Sequence, residues 1–192
     1  MLSRLDALKV IAAEFPREPI VVTLGAIVRE LLTLGRCDNH LYVLDSMGLP
    51  PAIGLGLSLG LAKSKFQKVV TIEGDGSLLM GLNTLATAGM LAPENYFLVV
   101  LDNGVYAATG GQRTSAPSID FAGVAQACGM QGRTLSGESA AELAEALREA
   151  RTVRAPQLLR VYIDTTNVKT PYFLEDPVGL GQSFQAYLRR ER

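Results

Sequence analysis

The chain reads as an α/β protein, a doubly wound and mainly parallel sheet with helices on both faces, and three observations carry that reading. Residues 68–73, with Val69, Val70 and Ile72, and residues 96–101, apolar from Phe97 to Leu101, read as buried strands, each running into turn residues. One helix-length segment, residues 78–91, lies between them, which is the make-up of a strand–helix–strand crossover joining two parallel strands. Helical and strand signals go on alternating through most of the remaining sequence.

Taken in order, residues 2–15 have helical spacing, with Leu5, Leu8, Ile11 and Ala12 on one side, and Pro16 and Pro19 end that helix. Residues 20–23 form a short strand, and residues 25–34 return to helix before Gly35. A strand at 41–44 and a glycine-spotted helix at 50–63 lead to the strand at 68–73, the helix at 78–91 and the strand at 96–101. Asp120 is placed to cap a short helix that runs to Ala127. Residues 130–135 read as a strand, and 136–151 as the clearest surface helix, with Leu143 and Leu147 one turn apart. A last apolar strand covers 157–163. Beyond Asp164 the pattern weakens. The expectation is one domain over residues 1–192, with a tail, 165–192, that packs on the domain or contacts a partner.

Composition removes several classes of function. A chain of 192 residues suffices for one well-cored domain, and 48% hydrophobic residues exclude a disordered protein. A net charge of −1 and an isoelectric point near 5.9 leave no nucleic-acid footprint. The first residues are charged and amphipathic rather than a secretion signal, and no apolar run approaches a membrane span. Cys37 and Cys128 do not make a disulfide framework. A cytoplasmic protein that engages neither nucleic acid nor membrane is expected.

The chemistry sits where the two buried strands end. The first runs into Gly74-Asp75-Gly76-Ser77 and the second into Asp102-Asn103-Gly104-Val105-Tyr106. In a parallel unit the carboxyl ends share one sheet edge, so Asp75 and Asn103 are expected side by side. Gly74 and Gly76 permit a sharp turn and the close approach of a ligand. Ser77 opens the next helix, whose unpaired amides and dipole favour phosphate. Asp75 offers a carboxylate to a hard divalent cation bridging phosphate oxygens, Asn103 adds an amide oxygen, and the turn at Gly104 and Val105 adds a carbonyl. Either motif alone is as readily a plain turn. Together, each behind a strong strand, they point to a metal and a diphosphate.

The paired motifs resemble the diphosphate-binding signature of the thiamine-diphosphate-dependent enzymes, in which Gly-Asp-Gly is followed at a distance by Asn. The resemblance implies the thiamine-diphosphate-binding fold. It also implies that Asp75, Asn103 and the Val105 carbonyl hold Mg²⁺ or Ca²⁺, with Gly74, Gly76, Ser77 and Tyr106 around the cofactor. Asp102 stands where the family usually has a second Asn. Residues 46–54 resemble the segment that receives the aminopyrimidine ring: Met47 is then the apolar prop beneath the bent cofactor and the Asp45 carbonyl the acceptor for its 4′-amino group, flanked by Ser46 and Gly48. Asp45 departs from the Gly that is common there. Thr109-Gly110-Gly111-Gln112 resembles the matching stretch of sulfopyruvate and phosphonopyruvate decarboxylases. That implies cofactor contacts from Thr109 and Gly110, and substrate contacts from Gly111, Gln112 and Arg113.

The resemblance runs from residue 20 to residue 163 and covers only the diphosphate-binding half of such an enzyme. The family draws its catalytic Glu from a separate pyrimidine-binding domain across a subunit interface, and Glu14, Glu18 and Glu30 lie in no matching context. A β-type subunit of a split lyase is implied, closest to the β subunit of sulfopyruvate decarboxylase and to phosphonopyruvate decarboxylase. It would act only with a pyrimidine-binding α-type subunit, in a hetero-oligomer of α₂β₂ or larger. The implied reaction is decarboxylation of a small anionic 2-oxo acid, such as 3-sulfopyruvate to sulfoacetaldehyde and CO₂. Phosphonopyruvate decarboxylation, an acetolactate-synthase-like carboligase subunit and a non-catalytic cofactor-binding scaffold are the alternatives.

Three features take a plainer reading. His40, the sole histidine, precedes a strand and is expected at a strand edge, on the surface or in an interface. Cys37 and Cys128 lack metal-ligand companions and read as small buried fillers. Gly54, Gly56 and Gly60 fit a helix-packing face better than a dinucleotide fingerprint, because they lie within a helical pattern rather than at a strand end.

Overall fold

A computed structural model describes residues 1–191. Numbered in chain order, strands β1 (Ile20–Val22), β2 (His40–Tyr42), β3 (Val69–Gly74), β4 (Tyr96–Asp102), β7 (Gln131–Leu135) and β8 (Gln157–Tyr162) form one sheet. Its order is β2-β1-β3-β4-β8-β7, and every neighbouring pair is parallel. The strand order reverses between β1 and β3. In open α/β sheets the crevice outside the strand carboxyl ends at such a reversal is where ligands bind.

Helices α1 (Arg4–Glu14), α2 (Ala26–Leu32) and α7 (Ala140–Thr152) cover one face of the sheet, where Leu8, Ile11, Leu31, Leu143 and Leu147 pack on Val22, Ile72 and Val99. Helices α3 (Pro50–Gly60), α4 (Asp75–Met80), α5 (Thr84–Leu91) and α6 (Phe121–Ala127) cover the other, where Leu55, Leu78, Leu85 and Phe121 meet Tyr96, Leu98 and Val100. Successive β4 residues therefore enter opposite cores, which is why that strand is apolar throughout instead of alternating.

Several elements differ from the sequence expectation. The segment 78–91 is not one helix: α4 already begins at Asp75, and the chain breaks between Met80 and Thr84. The cause is close backbone packing, since a Cβ on Gly81 would lie 2.0 Å from the Gly48 carbonyl oxygen. Helix α7 starts at Ala140, not 136, because the Ser139 hydroxyl accepts the Glu142 N–H and sets the N-terminus there. Asp120 holds the cap position of α6 without a side-chain capping bond. The buried stripe of α1 is Arg4, Ala7, Leu8 and Ile11, leaving Leu5 and Ala12 half-buried. A two-stranded antiparallel hairpin, β5 (Val105–Tyr106) and β6 (Gln112–Arg113), follows β4.

The weakly patterned tail contains a helix, α8 (Pro177–Glu191), which packs on its own domain through Tyr187 against Phe66, Leu61 and Val69. His40 is buried rather than exposed, at the amino end of β2 beside Ile20 and therefore at the sheet edge opposite the crevice. That position gives it no part in chemistry there. Cys37 is exposed and so is no core filler, whereas Cys128 is half-buried against the core of the second face. Gly54 sits against Thr71 and Tyr96, where a Cβ would clash, whereas Gly56 and Gly60 face open space. Among the described residues no helix is long and apolar enough to cross a membrane.

Candidate functional site

Three strand ends build the crevice. After β1 the chain passes through Thr23, Leu24 and Gly25, whose φ of +77° turns it into α2. After β3 it enters Gly74-Asp75-Gly76-Ser77, and after β4 it reaches Asn103, where Gly104 at φ +69° turns it into the hairpin. These ends line one cavity of about 100 Å³, together with Arg4, Met47, Leu101 and residues 105–109. The structure thereby brings together Met47, Gly74, Asp75, Gly76, Ser77, Asn103, Val105, Tyr106 and Thr109. Asp45, at φ +47°, lines a second cavity that adjoins the first at Leu24, Gly25, Ala108 and Thr109.

The remaining expected residues take other places. Gly48 donates its N–H to the Ser77 hydroxyl at 2.9 Å, so it joins the two motif segments from outside the lining, and Ser46 also lies outside it. Gly110, Gly111, Gln112 and Arg113 are exposed on the hairpin and line neither cavity. Gln112 closes that hairpin: its Oε1 accepts the Thr109 hydroxyl at 3.0 Å and its Nε2 donates to the Thr109 carbonyl at 3.2 Å.

Asp75 is almost wholly buried, and its Oδ2 accepts the Thr114 hydroxyl at 2.6 Å. Burial pushes its carboxyl up, the Thr114 bond pulls it down, and the nearby Asp102 adds to the rise. Asn103 accepts the Val105 N–H at 3.2 Å through Oδ1. Two oxygen donors from adjacent strand ends thus border one space, as the crossover geometry requires.

Several contributors escaped sequence reading. Asp102 is not a spare ligand: it forms a buried ion pair with Arg160 of β8, Nε to Oδ2 at 2.7 Å, and its Oδ1 accepts the Gly104 N–H at 2.9 Å. Arg160 also donates to the Ile119 and Ala116 carbonyls, at 2.8 and 3.1 Å, between the rings of Phe121 and Tyr162. Ala116 in turn donates its N–H to the Thr114 hydroxyl at 3.3 Å, the same hydroxyl that holds Asp75. One arginine therefore braces the loops behind both oxygen donors. Glu73, buried beneath the Gly-Asp-Gly turn, accepts the Gly74 N–H at 2.9 Å, and burial pushes its carboxyl up to about 7. The Thr23 hydroxyl is buried at the cavity and faces the Glu73 carboxyl, which it pulls down against the effect of burial. At the cavity's rim Arg4 pairs with buried Glu30 at 2.6 Å and donates to Asn167 at 3.2 Å.

Comparison with known proteins agrees with this geometry. The family described as thiamine pyrophosphate enzyme, C-terminal TPP binding domain, matches residues 30–161. A phosphonopyruvate decarboxylase of Streptomyces viridochromogenes is 41% identical over 84% of this chain and 40% of its own length. The sulfopyruvate decarboxylase subunit beta of Methanocaldococcus jannaschii is 32% identical over 97% of both chains. This chain therefore spans less than half of the Streptomyces protein and nearly all of the archaeal subunit. A benzoylformate decarboxylase structure from Polynucleobacter necessarius shares the fold, with a TM-score of 0.70 at 22% identity, over 84% of this chain and 33% of that one. With Asp75 and Asn103 inside the matched segment and lining one cavity at the carboxyl ends of β3 and β4, the chain belongs to the thiamine pyrophosphate enzymes through their C-terminal TPP-binding domain.

Proposed function

We propose that the chain is the β-type subunit of a split thiamine-diphosphate-dependent decarboxylase acting on a small anionic 2-oxo acid, 3-sulfopyruvate foremost. The observation that carries the proposal is the pairing of Asp75 and Asn103 across one crevice, in a chain that matches a named β subunit end to end. The residues fit the cofactor. Asp75 is a buried carboxylate with no cation among its hydrogen-bond partners, and the Thr23 hydroxyl borders the same cavity. Asp75, Asn103 and the Val105 carbonyl would hold Mg²⁺ or Ca²⁺, which binds readily through one carboxylate, further oxygens and phosphate. Thr23 and the Gly74-Asp75-Gly76-Ser77 turn would take the diphosphate, and Met47 would support the aminopyrimidine ring. When bound, thiamine diphosphate supplies the electron sink for loss of CO₂.

The acid expected against the aminopyrimidine is assigned to a pyrimidine-binding α-type partner in a cytoplasmic assembly of α₂β₂ or larger. Glu14 pairs with Arg148 and Glu30 with Arg4, and neither they nor Glu18 lines the cavity. Exposed Tyr172, Leu174 and Val178 of the tail are available to that partner. Phosphonopyruvate is the second substrate reading, favoured by the 41% identity to the Streptomyces enzyme. An assay of sulfopyruvate, phosphonopyruvate and pyruvate decarboxylation, with thiamine diphosphate and Mg²⁺, tests both readings using the chain alone and mixed with an α-type partner. Turnover in the mixture only is expected. Turnover by the chain alone would overturn the split-enzyme reading, and silence in both arms would overturn decarboxylation.

A further inference from the structure

A sulfonate or phosphonate brings charge that a plain 2-oxo acid lacks, and that charge needs a cation in the crevice. Three arginines stand near it. Arg4 is committed to Glu30 and Asn167. Arg113 is exposed on the hairpin, outside both cavities. Arg29 differs from both: it is half-buried one turn into α2 and forms no ion pair among the described residues.

Arg29 is also held in place. Its Nε donates to the Gly25 carbonyl at 3.1 Å, and its guanidinium lies 5.6 Å from the centre of the Tyr172 ring. With Nε so fixed, the two terminal nitrogens keep their donors for a ligand. Arg29 lines the second cavity, about 180 Å³, beside Thr109 and Tyr172. Because that cavity shares Gly25 and Thr109 with the first, the metal-side oxygens and Arg29 occupy adjacent halves of one crevice. Asp45 is the carboxylate in the second lining; it is exposed to water, which screens it, and it does not pair with Arg29.

We propose that Arg29 recognises the substrate's second anionic group, a sulfonate or phosphonate, from the α2 wall of the crevice and so determines specificity for anionic 2-oxo acids. The guanidinium fork matches two oxygens of a tetrahedral anion, which an ammonium does not reproduce. The inference rests on the decarboxylase reading above.

The test uses the assembled enzyme with Arg29→Gln and Arg29→Lys. Three quantities are measured: KM for sulfopyruvate and phosphonopyruvate, inhibition by sulfoacetate and phosphonoacetate, which lack the reacting keto group, and calorimetric affinity for thiamine diphosphate with Mg²⁺. Losing a charge-assisted bond in Arg29→Gln is expected to raise KM and both inhibition constants about 10- to 100-fold. Cofactor affinity stays within about threefold. Arg29→Lys falls between Arg29→Gln and the parent. KM and inhibition constants within about threefold of the parent in Arg29→Gln would overturn the proposal, as would an equal loss of cofactor affinity. If Arg29→Gln does not fold or assemble, Arg29→Lys decides, an unchanged KM overturning the proposal. A parent enzyme that turns over neither anionic acid defeats the decarboxylase reading and the inference together. Parent turnover with an unaffected variant defeats the inference alone.

Discussion

Asp75 and Asn103 depend on residues that never touch a ligand. Arg160 holds Asp102 with both partners buried, so Arg160→Met leaves a carboxylate without its counter-ion and should cost about 3–5 kcal/mol in urea unfolding. Replacing both partners, as Arg160→Met with Asp102→Leu, should recover much of that loss, and a double-mutant cycle measures how much. Thr114→Val removes the one hydroxyl that links Asp75 to the Ala116 loop, so weaker Mn²⁺ binding, read by calorimetry in the assembled enzyme, is expected with the fold retained. His40 answers to pH. Burial pushes its imidazole down to about 4, so the fold keeps it neutral while the unfolded chain takes a proton below about 6.5. Its contribution is intact above about pH 6.5 and is lost as pH falls toward 4, by about 3 kcal/mol at the limit. His40→Asn should flatten the fall in stability across that window, and a parallel fall in variant and parent would refute the assignment.

At the scale of elements, the switch between β1 and β3 opens the crevice and the break between α4 and α5 shapes it. Gly81→Ala would drive a Cβ into the Gly48 carbonyl and displace the segment that carries Met47, which Gly48 ties to Ser77. A loss of about 1–3 kcal/mol, with weaker thiamine-diphosphate binding, is the expected outcome by denaturation and calorimetry. The six strands and most helices were legible because the central strands are buried on both faces and the turn residues between elements have local reasons, although the edge strand β7 is mostly exposed. The helix break was not, since residues 78–91 favour helix locally and the contact that ends it comes from Gly48, far off in sequence. Arg160 was hidden in the same way: it lies in the run Gln157–Tyr162 and its partner is 58 positions away. Helix α8 buries Leu180, Phe184 and Tyr187 at helical spacing, but Gly179 and Gly181 obscured the signal. Short hairpin strands such as β5 and β6 carry too few residues to show a period.

Across the whole molecule, one surface stands apart. Helices α3 and α5 touch, and Ala52, Gly56, Leu59 and Gly60 of the first and Ala86, Thr87, Met90 and Leu91 of the second are exposed without a charge among them. Leu49 and Met80, also exposed, carry this face to the edge of the Met47 segment. A contiguous apolar surface of this kind marks an interaction site, and its position suits the α-type partner proposed above. Leu59→Arg should therefore weaken assembly with that partner, seen as loss of the complex by light scattering, while thermal unfolding of the chain alone is little changed. Full assembly in that variant would move the partner to another face.

The knot of Arg4, Glu30 and Asn167 has a consequence for synthesis. Arg4, which lines the cavity, donates to Asn167, 163 positions away. During translation Glu30 can gain its arginine early, but the bond from Arg4 to the Asn167 Oδ1 and the bond from the Val168 N–H to Glu30 wait until residues 167 and 168 have left the ribosome. A nascent chain stalled before that point can assemble its sheet and still lack these bonds around Arg4, so cofactor capture should follow the emergence of residues 167 and 168.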